Sequence, residues 1–319
     1  MPFVLVRIGP LRSQILPARK GILCSRRAHT TQLIGGSRLS SWLEGQGVAN
    51  ESLQLLLVDL TVDGLGIGTD ALPQVREVYN VAGAYAFGMT RHEARRANVE
   101  TARRVVEFSA TLRIQRLVHV SGYRVGGQDP ASVPWSPQRI ASEYDRLGAY
   151  EASKVESDAV VQAAAQELGV PLTIANPSTV IGHSVTGESD QTLGLATTVL
   201  DLIHGRLRAI PGGSSVFVPV VTVDYLTRFM VLLPTLEQTA GASYWILDPD
   251  TPPLPDLLRL IGAHHQVRVP RLRLPVGVVK LLPPAMSHAD PETLGFLSAD
   301  RYPTGPGDCL ANGVSGGFH

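Results

Sequence analysis

The chain has 319 residues, 44% of them hydrophobic and 18% charged, with 28 basic residues balancing 28 acidic ones. That composition excludes a disordered segment and supplies a core for one large domain or two smaller ones. The even charge leaves no net attraction for nucleic acid or an anionic membrane. Cys24 and Cys309 stand at opposite ends without a CxxC or His neighbour, so neither a disulfide framework nor a metal site is expected. No apolar run approaches the roughly 20 residues of a membrane span, and a reducing, cytoplasmic compartment is the default expectation.

The N-terminal stretch is irregular. No acidic residue precedes Glu44, while Arg7, Arg12, Arg19, Lys20, Arg26, Arg27 and Arg38 do; an Arg- and Ser-rich, acid-free start can be a transit peptide or an altered N-terminus. "FVLV" and "GILCSRR" read as two strands. From Leu53 the pattern becomes regular. "LQLLLVDL" is a continuous apolar run ending at Asp59, as a strand buried on both faces would be. The glycines of "DGLGIGTD" (64, 66 and 68) then read as a surface turn. "REVYNVAGAY" is a further strand opening into small residues, and "RHEARRANVETARRVVEFSATL" has apolar positions at helical spacing. "RLVHVSGYRVGG" is a strand running into a glycine-rich turn. A long helix comes next in "GAYEASKVESDAVVQAAAQELG", stopped by Gly169, and then the strand "VPLTIANPSTVIGH". Strand and helix alternating in this rhythm predict an α/β fold, a doubly wound parallel sheet of the Rossmann type. The rhythm loosens after His183, with a helix in "SDQTLGLATTVLDLIHG", a strand turning into a helix in "SVFVPVVTVDYLTRFMVLL", a late strand "SYWILD", another helix, and the strand-like "HQVRVPRLRLP". The expected division is a nucleotide-binding domain over 1–182, atypical over 1–40, and a substrate-binding part over 183–319, of which 214–250 returns to the sheet.

Tyr150 and Lys154 fall at i and i+4 on one helix face. The chain has three lysines, Lys20, Lys154 and Lys280. An ammonium beside a phenol favours the phenolate, which suits the tyrosine to proton transfer. Ser121 ends the preceding strand at the carboxyl edge of the sheet, where ligands of such sheets bind. The 122–148 loop between them is long enough to fold over a substrate.

These motifs, in this order, resemble an extended short-chain dehydrogenase/reductase, in the group that includes nucleotide-sugar epimerases, dihydroflavonol-type reductases and thioester reductase domains. The resemblance covers about 53–275. It implies hydride transfer between a nicotinamide cofactor and a carbonyl or alcohol carbon. Tyr150 would be the general acid/base, Lys154 would also bind the nicotinamide ribose, and Ser121 would polarise the carbonyl oxygen. Asn98 in "RANVETAR" would sit in a kinked helix, with a water near the lysine. Asp59 and Leu60 would meet the adenine, and Val81, Ala82 and Gly83 the ribose and nicotinamide side. Pro177, Ser178 and Val180 would lie beside the carboxamide. Arg26 and Arg27, after the second strand, sit where a 2′-phosphate is read, which favours NADP over NAD.

The family's glycine-rich phosphate loop has no counterpart: one glycine, Gly9, stands between the first two strands, followed by Pro10, Arg12 and Pro17. A proline there removes an N–H donor. Gly35 and Gly36 in "LIGGSRLSSWLEG" are a poor substitute, because they fall at the second strand-to-helix passage. An altered N-terminus, a leader before a degenerate domain, and a chain that binds cofactor poorly all remain open; the abrupt return to order near residue 21 favours the first. "YAFGM" (85–89) and the stretch after Gly182 favour an apolar or acyl-type carbonyl substrate over a sugar nucleotide. An epimerase or dehydratase and a catalytically silent homologue are the alternatives. His183, His264 and His265 read as structural, and the resemblance makes a homodimer through the helices carrying Asn98 and Tyr150 a hypothesis.

Overall fold

Apolar runs of about six residues alternating with helices assemble, in a computed structural model, into an α/β fold of the Rossmann type. The structure describes residues 3–8, 21–26, 41, 44–45, 47, 53–67, 72, 74–84, 88–189, 194–281 and 297–307. The strands are β1 (Phe3–Ile8), β2 (Gly21–Arg26), β3 (Leu53–Val58), β4 (Val75–Asn80), β5 (Arg116–Val120), β6 (Leu172–Pro177), β7 (Thr179–Ile181), β8 (Ile210–Pro211), β9 (Val220–Thr222), β10 (Ser243–Ile246) and β11 (Arg273–Leu274). Seven of them form one sheet in the order β10-β6-β5-β4-β1-β2-β3. The pairs β2–β3, β4–β5 and β5–β6 are parallel.

β1 runs against its neighbours. It pairs antiparallel with both β2 and β4, so that Val4 stands opposite Asn80 and Ile8 opposite Val75. The amino end of β1 therefore lies at the carboxyl edge of β4. The link to β2 is consistent with this. Parallel neighbours need a crossover of about a dozen residues or more, usually helical, whereas antiparallel strands accept a short link. The twelve residues 9–20 between β1 and β2 are at the lower limit for a helical crossover and include Pro10 and Pro17.

The helices are α1 (Arg91–Ala94), a π-helical turn (Arg95–Glu100) continuing into α2 (Thr101–Thr111), α3 (Pro137–Leu147), α4 (Ala149–Leu168), α5 (Leu195–Ile203), α6 (Val223–Leu232), α7 (Leu254–His264) and α8 (Val276–Leu281). A capping box starts α1: the Thr90 hydroxyl accepts the Glu93 N–H, and the Glu93 carboxylate accepts the Thr90 N–H. α4 ends on Gly169 in the left-handed conformation (φ 65°), the geometry that favours glycine after a helix. Among the described residues no helix is long and apolar enough to cross a membrane.

The chain divides into two compact units, the first of residues 1–121, 125–175 and 231–243, the second of 122–124, 176–230 and 244–319. In the first, Val78, Leu117 and Ile174 from the strands meet Val105, Val106, Phe108 and Val161 from the helices. Each such side chain contributes roughly 1.5–3 kcal/mol on burial. A smaller cluster joins Trp135 and Tyr144 to Ala94 and Ala152. The 122–148 stretch is thus no free flap, because it contains α3, which packs on α4. In the second unit Leu202, Ile210, Val216, Val218, Leu254 and Leu258 form the core. The strand-like 265–275 run reduces to the two residues of β11, paired with β8.

Candidate active site

The carboxyl edge of β4 opens into Val81–Ala84, and the π-turn lies beside it. Asn98, buried in that turn, accepts the Ala84 N–H on Oδ1 at 2.7 Å and donates from Nδ2 to the Ser153 hydroxyl at 2.9 Å. The Ser153 hydroxyl in turn donates to the Tyr150 carbonyl at 2.8 Å. The Asn98 carbonyl accepts the Ser157 hydroxyl at 3.0 Å. One asparagine thus ties the β4 turn to the face of α4 that carries Tyr150 and Lys154. A Cβ at Gly83 would stand 3.4 Å from Lys154 Nζ and 3.6 Å from Asn98 Oδ1. The π-turn is the irregularity expected of this helix, and such turns commonly mark functional sites.

A second polar group lies beneath. His119 in β5 and Ser121, one residue past its end with its N–H on the Ala175 carbonyl, share one face by strand alternation. His119 is buried; its Nδ1 lies 3.0 Å from Asn80 Nδ2, while Asn80 Oδ1 accepts the Ala82 N–H. Because the Asn80 amide nitrogen only donates, His119 accepts at Nδ1 and carries its proton on Nε2. Burial first, then the Lys154 charge, lowers its pKa to about 3. Lys154 retains some exposed surface, but its ammonium is packed round closely enough that burial lowers its pKa, and Asp158 pulls it back. Asp158 is raised by burial and lowered by the Gln128 N–H, by the nearby Ser121 hydroxyl and by the Gln162 amide, and then by Lys154. Along the same helix, buried Glu156 holds Arg95 through Oε1 and Oε2 at 2.7–3.2 Å and accepts the Tyr144 hydroxyl at 2.8 Å. That brace fixes the π-turn and α3 against α4.

Of the residues expected at the site, Asn98, Tyr150, Lys154, Gly83 and Ser121 lie in one unit, and these contacts link them. Asp59 closes its own turn, its Oδ1 accepting the Thr61 N–H at 2.9 Å and hydroxyl at 2.6 Å. Leu60 and Ala82 are buried in the core, and Val81 is half-buried. Arg26 ends β2 opposite Val58, at the same edge as Asp59. Arg27, Gly35, Gly36, Gly68 and residues 85–87 lie outside the described residues. Pro177, Ser178 and Val180 belong to the second unit, where Pro177 and Ser178 are buried and Val180 is exposed. His183 Nδ1 accepts the Val185 N–H, and His264 meets His265 edge to face. Among the described residues no three metal-ligating side chains converge. The sequence reading missed Asn80, His119, Ser153, Glu156 and Asp158; a polar residue inside an apolar strand run, and an acid one turn beyond the lysine, were the available signals.

The nicotinamide-ribose end of a dinucleotide fits these residues, because the missing Cβ of Gly83 leaves space directly against Lys154 and Asn98. The phosphate end does not fit the described residues. With β1 reversed, the turn after it leaves from the amino edge of β4, away from Asp59 and Asn80, whereas pyrophosphate binding uses a turn and helix N-terminus at the carboxyl edge.

Comparison with known proteins agrees with the fold. Residues 17–230, more than half of the chain, match an NAD-binding family described as male sterility protein. Sterol demethylase protein B of Methylococcus capsulatus is 29% identical over 171 residues, which are 49% of this chain and 47% of that protein; the chain spans about half the length of this curated relative. Among solved structures, the terminal R domain of the myxalamid PKS-NRPS pathway superposes with a TM-score of 0.65 at 19% identity, covering 92% of this chain and 79% of that one. UDP-glucuronic acid 4-epimerase from Bacillus cereus, in complex with NAD, gives 0.55 at 13% identity, covering 74% and 73%. These two share the Rossmann-type fold. By the match over residues 17–230, and with the alternating strands and helices of that fold, the chain belongs to the NAD-binding family described as male sterility protein.

Proposed function

We propose that the protein is an NAD(P)-dependent oxidoreductase of the extended short-chain dehydrogenase/reductase type, acting on an apolar or acyl-type carbonyl or the corresponding alcohol. The observation that carries this reading is the Asn98 clamp, which holds the open face of Gly83 against Lys154 and ties it through Ser153 to Tyr150. A nicotinamide cofactor, when bound, supplies or accepts the hydride. Lys154 would hold its ribose hydroxyls, and Asn98 would keep the turn beneath the ribose in place. Tyr150 would give a proton to the carbonyl oxygen or take one from the alcohol, with the Lys154 charge one helical turn away favouring the phenolate. The hydroxyl of Tyr150 thereby stabilises charge that develops on that oxygen. Arg26 and Arg27, following β2, make NADPH the first cofactor to try.

A second reading rests on β1: a chain whose first strand is reversed can keep the site and lose the pyrophosphate, as a catalytically silent homologue would. Titration with NADPH and NADH separates the two, read by nicotinamide fluorescence. A saturable change supports the oxidoreductase, and none at millimolar cofactor sinks it. Given binding, an aliphatic aldehyde with NADPH should turn over, and Tyr150→Phe should lower kcat at least on the order of 100-fold while leaving cofactor affinity in place. Equal loss of both would show a structural tyrosine.

A further inference from the structure

One buried acid stands outside the chemistry assigned so far. Asp158 lies one turn beyond Lys154 on α4, fully buried. Its Oδ2 accepts the Gln128 N–H at 3.0 Å and the Gln162 amide at 2.9 Å, while its Oδ1 makes no hydrogen bond of ordinary geometry. The Ser121 hydroxyl is also buried without such a bond, yet it lies close enough to this carboxylate to favour the ionised form. A carboxylate only accepts, and a hydroxyl has a single proton to give. Rotation of the hydroxyl toward Asp158 satisfies both atoms at once. Rotation toward a substrate leaves a buried carboxylate oxygen bare, at its full desolvation cost.

The same carboxylate acts on the Lys154 ammonium. Burial disfavours the charge on each, and each charge favours the other. The other titratable groups about the ammonium are His119 from β5, which burial keeps neutral, and Tyr150 on its own helix. Among the described residues no carboxylate forms an ion pair with Lys154 at contact distance, and Asp158 is the acid that raises its proton affinity.

We propose that Ser121, Asp158 and Lys154 form one buried charge unit, in which Asp158 is a positioning residue that accepts a hydrogen bond from the Ser121 hydroxyl and holds Lys154 as an ammonium. This deepens the oxidoreductase reading and rests on it, since that ammonium is the one assigned to the ribose and to Tyr150. It moves Ser121 from the substrate carbonyl to the support of α4.

The test needs neither cofactor nor substrate, so its failure is distinct from a failure of the fluorescence titration. Three lysines give three resonances in protein labelled with carbon-13 at lysine Cε, and Lys154→Arg identifies the relevant one. In Asp158→Asn, proton affinity at Lys154 should fall about tenfold, with the other two resonances unmoved. An unchanged Lys154 titration in the folded variant overturns the proposal. Should Asp158→Asn not fold, Lys154→Met gives the reciprocal measurement, because a coupling between two sites is equal from either side. The aspartate Cγ resonance it perturbs should bind its proton about tenfold more tightly, and an unmoved resonance overturns the proposal. Ser121→Ala should also tighten proton binding at that aspartate, and no change there overturns the Ser121 assignment.

Discussion

His119 should set the acid sensitivity of the fold. It is buried at the carboxyl end of β5, and burial, with a smaller push from Lys154, lowers its pKa from 6.5 to about 3. A lowered histidine value means that on acidification the unfolded chain takes the proton first. The stabilisation is fully present above about 6.5 and is lost as pH falls toward about 3. Between about pH 7.5 and pH 5 that loss amounts to about 2 kcal/mol for one such group. Asp158 works in the opposite sense, because its raised pKa lets the folded state take up a proton first, so the wild-type slope alone does not isolate the histidine. His119→Gln does. Gln can still accept from Asn80 Nδ2, and the variant should be less stable at about pH 7.5 by roughly 1–2 kcal/mol, through poorer packing and hydrogen bonding. Moving to about pH 5, it should lose about 2 kcal/mol less than the wild type, so that the two stabilities converge. Urea unfolding followed by far-UV circular dichroism at both pH values measures this. Parallel losses in the two proteins would refute a buried, neutral His119.

Two further substitutions probe the surroundings of the site. Gly83→Ala should fold normally, since its Cβ meets neighbours at 3.4–3.6 Å, but the added methyl fills the space against Lys154. Affinity for NADPH should drop on the order of tenfold, about 1.4 kcal/mol, and isothermal calorimetry reads it. Glu156→Ala should cost roughly 2–3 kcal/mol in urea unfolding, since it strands the buried Tyr144 hydroxyl, while the partly exposed Arg95 can turn to solvent. Glu156→Gln keeps an acceptor for Tyr144 and should cost less; equal losses would mean that charge alone matters there.

The fold was legible where one signal dominated. Apolar runs such as "LQLLLV" and "LTIANP" admit a buried strand, and Gly169 ends α4 where the pattern stops. α3 was missed although Ser136 and Pro137 give a sound start: the serine hydroxyl accepts the Arg139 N–H and proline takes the first helical position. The direction of β1 was not legible, because an apolar run of six residues carries no arrow and its neighbours on the sheet are distant in sequence. The tyrosine and lysine were legible from spacing alone. Their supports were not. Asn80, His119 and Asp158 act through contacts between elements, such as His119 with Asn80, 39 residues apart, which no local window contains.

The two ends of a bound cofactor would therefore rest on different parts of the chain. The ribose end would depend on β4, β5, the π-turn and α4, joined by side-chain hydrogen bonds that involve no residue of β1. The phosphate end would need a turn and helix N-terminus at the carboxyl edge of the sheet, and β1 ends at the opposite edge. An enzyme of this family needs both, because the phosphates supply binding energy remote from the reacting carbon, and without it the ribose contacts alone must hold the ligand. A protein in which Lys154 titrates as the charge unit requires, yet NADPH does not bind, would locate the defect at the reversed strand. One in which NADPH binds would show that residues beyond β1 supply the phosphate contacts, and the Asn98 clamp would then sit beneath a held ribose.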